Sequence, residues 1–249
     1  MTHALGIDIG GRGIKGARVD ISSGELLSER IRIPTPEGAH PPDVFEVVHT
    51  IVEQLGHTGS EPIGVCFPAV VTHGKTRSAS NVSQDWIDFP ADEELSRALG
   101  HRIHMVNDAD AAGWAEARLG AAHDIPGLVI LTTLGTGIGS ALLMDGTLIP
   151  NSELGILEVD GERSERRAAN SARERENLSF EEWATRLTRF YRHLEDLFSP
   201  DLFIIGGGIS AQHAGFFSLV EARTPLVPAT FLNNAGIIGS ALLASDTAV

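Results

Sequence analysis

The feature that most constrains this chain is a glycine-rich turn directly after a short apolar strand, and it occurs three times. Residues 4–9 read as a buried strand broken by Gly10, Gly11, Gly13 and Gly16. Residues 128–134 end in Gly135-Thr136-Gly137-Ile138-Gly139, and residues 201–205 feed Gly206-Gly207-Gly208. After the first turn, Ala17-Arg18-Val19-Asp20-Ile21 alternates apolar and polar at strand period. Residues 22–25 then form a turn and 26–33 a third strand, which ends at Pro34-Thr35-Pro36. Such an opening lays down antiparallel sheet. The same strand–turn–strand layout returns after residue 128, where 140–144 resume as strand and turn at Asp145-Gly146. The repeat predicts a duplicated α/β fold of two domains with a cleft, divided as 1–107 and 108–249.

Between these strands lie helical patterns. Val44, Val47, Val48, Ile51 and Leu55 share a helix face, residues 63–67 are a buried strand, and 95–100 close a second helix. Residues 103–106 run as a strand into Asn107-Asp108, and 109–119 form an alanine-rich helix. Residues 158–182 are dense in charge, with no apolar period before Phe180. There Ser179-Phe180-Glu181-Glu182 forms a capping box for a helix with a wide apolar stripe. A last helix covers about 234–243.

Composition narrows the setting. The 249 residues suffice for two ordinary domains. A formal charge of −14 argues against nucleic acid or an anionic membrane as partner, so an anionic ligand must be held by local amides, a metal ion or arginines. No apolar run approaches the roughly 18 to 20 residues that span a bilayer, and the N-terminus lacks the pattern of a secretion signal. The single Cys66 stands between Val65 and Phe67 as a small buried residue and forms no internal disulfide, which suits a reducing cytoplasm.

The first turn holds a formal G-x-G-x-x-G at Gly11, Gly13 and Gly16, but a strand follows where the dinucleotide fingerprint needs a helix. No G-K-[S/T] is present, which excludes a P-loop. Two readings remain: a plain glycine hairpin with Asp8 capping its own turn, or a hairpin whose amides face phosphate while Asp8 holds Mg²⁺ through water. The second loop repeats this layout, with Thr136 adding a hydroxyl, and the third ends a buried strand along which a ligand edge can lie. Three such turns in a duplicated layout point to a phosphate or nucleotide site. Asp108 is either a helix N-cap or the general base that takes a proton from an attacking hydroxyl.

At these residues the chain resembles the ROK family of sugar kinases, and within it the polyphosphate-using branch. The resemblance extends to Asn81-Val82 with Trp86, Pro150-Asn151-Ser152-Glu153-Leu154-Gly155, Asn177-Leu178-Ser179, Glu182-Trp183, the segment 200–208 and Asn233-Asn234-Ala235-Gly236. It implies the actin-like ATPase (ribonuclease H-like) fold and transfer of phosphate from polyphosphate or ATP to the C6 hydroxyl of glucose or a related hexose. Asp8, Gly10, Gly11, Gly13 and Lys15 would form the first phosphate loop, with Asp8 on Mg²⁺. Gly135, Thr136, Gly137 and Gly139 would form the second, and Gly207 and Gly208 would lie along a nucleotide. Asn81, Asn107 and Glu153 would bind sugar hydroxyls, joined by Glu165 in preference to Glu158, with Asp108 as catalytic base. A homodimer is also implied.

Three departures stand out. Many members carry a Cys/His zinc motif that one cysteine cannot build, so no zinc is expected. Ile156 stands where the family has His in Glu-Leu-Gly-His, and a lost sugar hydrogen bond there costs about 1 to 3 kcal/mol. Arg12 replaces a small residue in the first loop. Eight of the nineteen basic residues lie between 163 and 192, which suits a long polyanion, but eight acidic residues between 162 and 196 interleave with them as on a solvated face. The competing class is a sugar- or phosphate-binding relative without turnover, for which Ile156 speaks. The family's DNA-binding regulators carry a winged helix-turn-helix ahead of the kinase-like part. A first strand at Ala4 and the negative charge argue against that reading.

Overall fold

The computed structural model describes residues 2–79 and 82–247. The chain forms two compact units, Met1–Ala115 with Asn234–Val249, and Glu116–Asn233.

In the first unit, β1 (His3–Gly10) pairs antiparallel with β2 (Gly13–Asp20), and the hairpin closes at Gly10 opposite Gly13. The third strand is shorter than its sequence pattern: β3 spans only Ile31–Ile33. The reason is local. The Arg18 N–H donates to the Ser28 hydroxyl at 3.0 Å, so a side chain replaces a ladder bond and a lone bridge between Val19 and Leu26 remains upstream. Helix α1 (Pro41–Gln54) starts on prolines, which are tolerated in a first turn, and buries Val44, Val48 and Ile51 in one core with Leu5, Ile7 and Ile14. Strand β4 (Ile63–Phe67), buried at every residue, pairs parallel with β1. A small ribbon of β5 (Val71–Thr72) and β6 (Lys75–Thr76) follows. Trp86 is fully buried against Phe45, Phe67 and Phe89, and its indole N–H donates to the Ala39 carbonyl at 2.8 Å. Helix α2 (Ala91–Leu99) leads to β7 (Ile103–Asn107), parallel to β4, and α3 (Asp108–Leu119) leaves its end. The sheet order is β3-β2-β1-β4-β7.

The second unit repeats that order. Strand β8 (Leu128–Leu134) pairs antiparallel with β9 (Ile138–Met144), and β10 (Thr147–Ile149) continues the meander. The charge-dense stretch is more structured than its periodicity suggests. It folds into β11 (Glu158–Val159), β12 (Glu162–Arg163), α4 (Ser164–Ala168) and α5 (Asn170–Arg175). Their apolar contacts are small buried residues, Ala168, Ala169 and Ala172, which a search for large side chains passes over. Helix α6 (Phe180–Phe198) opens on a complete capping box between Ser179 and Glu182 and buries Trp183, Leu187, Phe190, Tyr191 and Leu194 against Ile130, Phe203 and Ile205. Strands β13 (Leu202–Gly206) and β14 (Leu226–Pro228) complete the order β10-β9-β8-β13-β14.

Helix α7 (Ala235–Thr247) returns to the first unit. It lies so close to that sheet that a Cβ on Gly6 would stand 1.9 Å from the Ile237 carbonyl oxygen, and one on Gly64 1.8 Å from that of Ser240. Glycine is required at both by backbone contact. The compact units therefore part at 115/116, within α3, while the boundary expected from sequence was 107/108, with 234–249 in the second half. A contiguous division has no way to register α7's return. Among the described residues no helix is long and apolar enough to cross a membrane.

Candidate active site

In the first unit the chemistry gathers at the C-terminal ends of β1, β4 and β7, where parallel sheets commonly carry their ligands. Asp8 on β1 stands opposite Lys15 on β2, and Lys15 Nζ donates to Asp8 Oδ2 at 2.8 Å. Lys15 in turn stands opposite Arg32 on β3, so one row across the three strands carries a carboxylate and two cations. The Arg32 guanidinium lies against Gly13, where a Cβ would meet it at 2.9 Å, and donates to the Arg12 carbonyl at 3.1 Å. Thr35 Oγ1 donates to the Gly10 carbonyl at 2.5 Å. The turn residues Gly11 and Arg12 are exposed, and Gly11 borders a depression with Thr35, Glu37 and Ser83. Neither Arg32 nor Thr35 stood out in the sequence. The alternation Ile31-Arg32-Ile33 was the available signal, but its value lies in a cross-strand register that only pairing sets.

Asp108 heads α3 and is partly accessible, with Oδ1 accepting the Ala109 N–H at 2.8 Å. Capping falls mainly to its neighbour: Asn107 Oδ1 accepts the N–H groups of Ala109 at 2.9 Å and Asp110 at 3.1 Å. Asn107 Nδ2 donates to the Ala69 carbonyl at 3.1 Å. With its oxygen engaged twice and one amide hydrogen on Ala69, Asn107 has a second amide hydrogen beyond these bonds. Cys66 links the two acids. Its thiol donates to Asp8 Oδ1 at 3.7 Å, and burial first, then the carboxylates of Asp8 and Asp108, push it well up, so it stays protonated and unreactive. Asn81 lies outside the described residues.

The acids suit Mg²⁺, which takes one or two carboxylates and completes its octahedron with water and substrate phosphates. Asp8 would supply one, and the register that sets Asp8 beside Cys66 and Cys66 beside Val106 brings the β7 end that precedes Asp108 to the same edge of the sheet. Among the described residues no three His, Cys, Asp or Glu side chains gather as a cage.

In the second unit, two glycine turns meet. Gly207 has φ 82°, and a Cβ there would stand 2.7 Å from the Leu134 carbonyl oxygen, so the turn after β13 packs on the end of β8. The loop of Gly135, Thr136 and Gly137 closes on itself through Gly135 N–H to the Gly137 carbonyl at 3.0 Å. Ser171 holds it from α5, donating its N–H to the Gly135 carbonyl at 3.0 Å and its hydroxyl to that of Thr136 at 2.6 Å. Thr136 and Gly208 are exposed, and a Cβ on Gly135 would meet nothing within 4 Å, which leaves the loop open to a ligand. Gly139 follows on β9, opposite Thr133.

Glu165, on α4, reaches over this loop: a Cβ on Gly137 would touch Glu165 Oε2 at 2.8 Å. Desolvation, then the Glu165 carboxylate, raises the Glu153 carboxyl above its ordinary value. Glu153 and Glu165 therefore stand within electrostatic reach of each other. Glu158 is exposed on β11, opposite Arg163. Ile156, one turn from Glu153, leaves 47% of its surface exposed. Ser171 was missed in the sequence because its segment carries no motif of its own.

Residues 4–154 match the ROK family. The polyphosphate glucokinase of Mycobacterium tuberculosis (strain CDC 1551 / Oshkosh) is 47% identical over 241 residues, 96% of this chain and 90% of that protein. The inorganic polyphosphate/ATP-glucomannokinase of Arthrobacter sp. strain KM is 46% identical and superposes with a TM-score of 0.96, over 99% of this chain and all of that one. A ROK family glucokinase from Streptomyces griseus, solved with glucose and AMPPNP, shares 23% identity at a TM-score of 0.83 over 98% and 99% of the two chains, a likeness of fold. Two five-stranded sheets of one repeated order are the actin-like ATPase architecture of these kinases. With the sequence pattern, the overlay and the glycine loops in agreement, the chain belongs to the ROK family.

Proposed function

We infer that this chain is a polyphosphate- and ATP-dependent glucokinase, and we propose that Asp108 is its general base. The first inference is supported by 47% identity across nearly the whole chain to a polyphosphate glucokinase and by the overlay on a polyphosphate/ATP-glucomannokinase. The second is carried by one observation: a partly exposed carboxylate at the head of α3, its backbone fixed by the Asn107 cap, with Asp8 near the same thiol.

The C6 hydroxyl oxygen of glucose attacks the terminal phosphorus of the donor, the bond from that phosphorus to its bridging oxygen breaks, and the hydroxyl proton passes to Asp108. The donor leaves as ADP or as polyphosphate one unit shorter. Asp8 would hold Mg²⁺, which when bound neutralises charge on the donor phosphates. Lys15 and Arg32 add fixed positive charge beside the first hairpin, and the Gly135 and Gly207 turns would carry the donor phosphates. Glu153 and Glu165 accept hydrogen bonds from sugar hydroxyls, with Asn107 donating its remaining amide hydrogen. A homodimer in a reducing cytoplasm belongs to the same reading, and light scattering on the purified chain tests the dimer.

The activity test is a coupled assay with Mg²⁺ that crosses glucose with ATP and with polyphosphate. Asp108→Asn should lower kcat by about 10²- to 10⁴-fold with either donor while glucose still binds. A loss under about tenfold would move the base elsewhere. No turnover by the unaltered chain would favour a sugar-binding relative. The cause would then be sought at Ile156.

A further inference from the structure

We propose that the pocket lined by Arg166, Arg167, Arg175, Arg186, Glu162 and Glu176 binds the chain of an inorganic polyphosphate donor beyond the phosphate that is transferred. The proposal rests on the kinase reading and adds to it a place where the two donors differ. ATP ends its phosphates in a nucleoside, whereas linear polyphosphate continues as further anionic units.

The first ground is reach. The two short helices that carry Arg166, Arg167 and Arg175 start on the second glycine loop, while Arg186 comes from α6. Glu165 at the beginning of α4 touches Gly137, and Arg166 and Arg167 follow it directly. Ser171 in the first turn of α5 bonds the carbonyls of Gly135 and Thr136, and Arg175 ends that helix. Six helical residues span about 9 Å. A polyanion seated on the loop thus meets the pocket within a few phosphate units.

The second ground is charge and its readiness. Four guanidinium groups face two carboxylates, an excess of positive charge in a chain whose formal charge is −14. Glu176 takes one bond from Arg175 at 2.9 Å and one from Arg186 at 2.6 Å. The same two side chains donate to the carbonyls of Arg166 at 2.8 Å and Arg167 at 3.1 Å. These contacts fix the planar forks while leaving further N–H groups of each free, so little side-chain entropy remains to be lost on binding. Arg166 is exposed, and among the described residues its side chain has no ion pair or hydrogen bond. A purely structural cluster would spend each arginine on a partner. The negative charge of the whole chain disfavours nucleic acid as the polyanion.

The test compares KM for long-chain polyphosphate, tripolyphosphate and ATP, at saturating glucose, in the unaltered protein and in Arg166→Ala, Arg166→Glu and Arg192→Ala. Arg192 pairs with Glu221 outside the pocket and serves as control. Loss of one charge-assisted bond should raise KM for long-chain polyphosphate about tenfold in Arg166→Ala and more in Arg166→Glu. KM for ATP and tripolyphosphate, and kcat with every donor, should stay within about twofold, as should all values for Arg192→Ala. Added salt should raise KM for the long donor more steeply than for ATP, and less steeply once Arg166 is replaced. Equal changes with all donors, or no change with the long one, would overturn the proposal. If the unaltered protein turned over no donor, the kinase reading would fail separately. Calorimetric binding of long-chain polyphosphate would then decide the pocket, since retention of full affinity by Arg166→Glu would overturn it.

Discussion

The two sheets share one strand order and differ in what they carry at the hairpin and in how each is covered. On β1, two residues before the last of the strand, Asp8 faces Lys15 across the pair. The matching position on β8 is Thr132, facing Ser140, and both are buried and neutral. Thr132 bonds the Tyr191 hydroxyl at 2.8 Å, and Ser140 bonds the Ser152 carbonyl at 2.8 Å. The first unit thus puts ions at its turn, while the second spends its hydroxyls on its own core and closes its turn with backbone hydrogen bonds. Covering follows the same contrast. Helix α7 lies on the first sheet backbone to backbone, and α6 covers the second with Trp183, Phe190 and Tyr191. Duplicated topology sets where a ligand edge lies and leaves the chemistry of each edge free to differ.

The sharpest way to break this contrast is a single methyl group. Gly64→Ala drives a Cβ into the Ser240 carbonyl and should lower stability by about 3 kcal/mol, read as a denaturant midpoint shift. The parallel change Gly206→Ala meets its nearest neighbour at 3.6 Å and should shift the midpoint by less than about 0.5 kcal/mol. Similar losses at both would mean that the two sheets are covered alike. Tyr191→Phe leaves the buried Thr132 hydroxyl without its partner and should cost about 1 to 2 kcal/mol in thermal unfolding. A neutral result would remove the idea that the second unit's hydroxyls are committed to its core.

Smaller effects sharpen the contrast. Ile156→His restores a donor beside Glu153 and should lower KM for glucose about tenfold with kcat nearly unchanged. An unchanged KM would show that the sugar never meets this position. Finally, Glu153 is raised, so its folded form holds a proton through a pH window in which the unfolded form has lost it. Stability therefore falls as pH rises from the ordinary glutamate value through the raised one, and the penalty is complete above it. Glu165→Gln removes one of the two causes. An NMR titration should then find Glu153 titrating lower but still above its ordinary value, because its partial desolvation remains.

Much of the fold was legible because it rests on local signals. The strand before each glycine turn, the Ser179–Glu182 capping box and the helix after Asn107 follow from periodicity and caps within a few residues. Residues 26–33 hold less strand than their pattern predicts because Ser28 competes for a ladder bond, and 158–176 hold more structure because their packing uses alanines. Of the candidate site, Asp8, the glycine loops and Asp108 carry recognisable neighbours. Arg32, Thr35 and Ser171 do not, since each acts through a partner distant in sequence.

The sequence by itself determined the duplicated α/β layout, the glycine turns and the identity of the acids, because strand period, turn chemistry and capping are read from adjacent residues. Only the tertiary structure decided that Lys15 and Arg32 align beside Asp8, that Glu165 sits over Gly137 next to Glu153, and that α7 closes the first unit. Those outcomes depend on strand register and on backbone approach between distant segments, which no local pattern encodes.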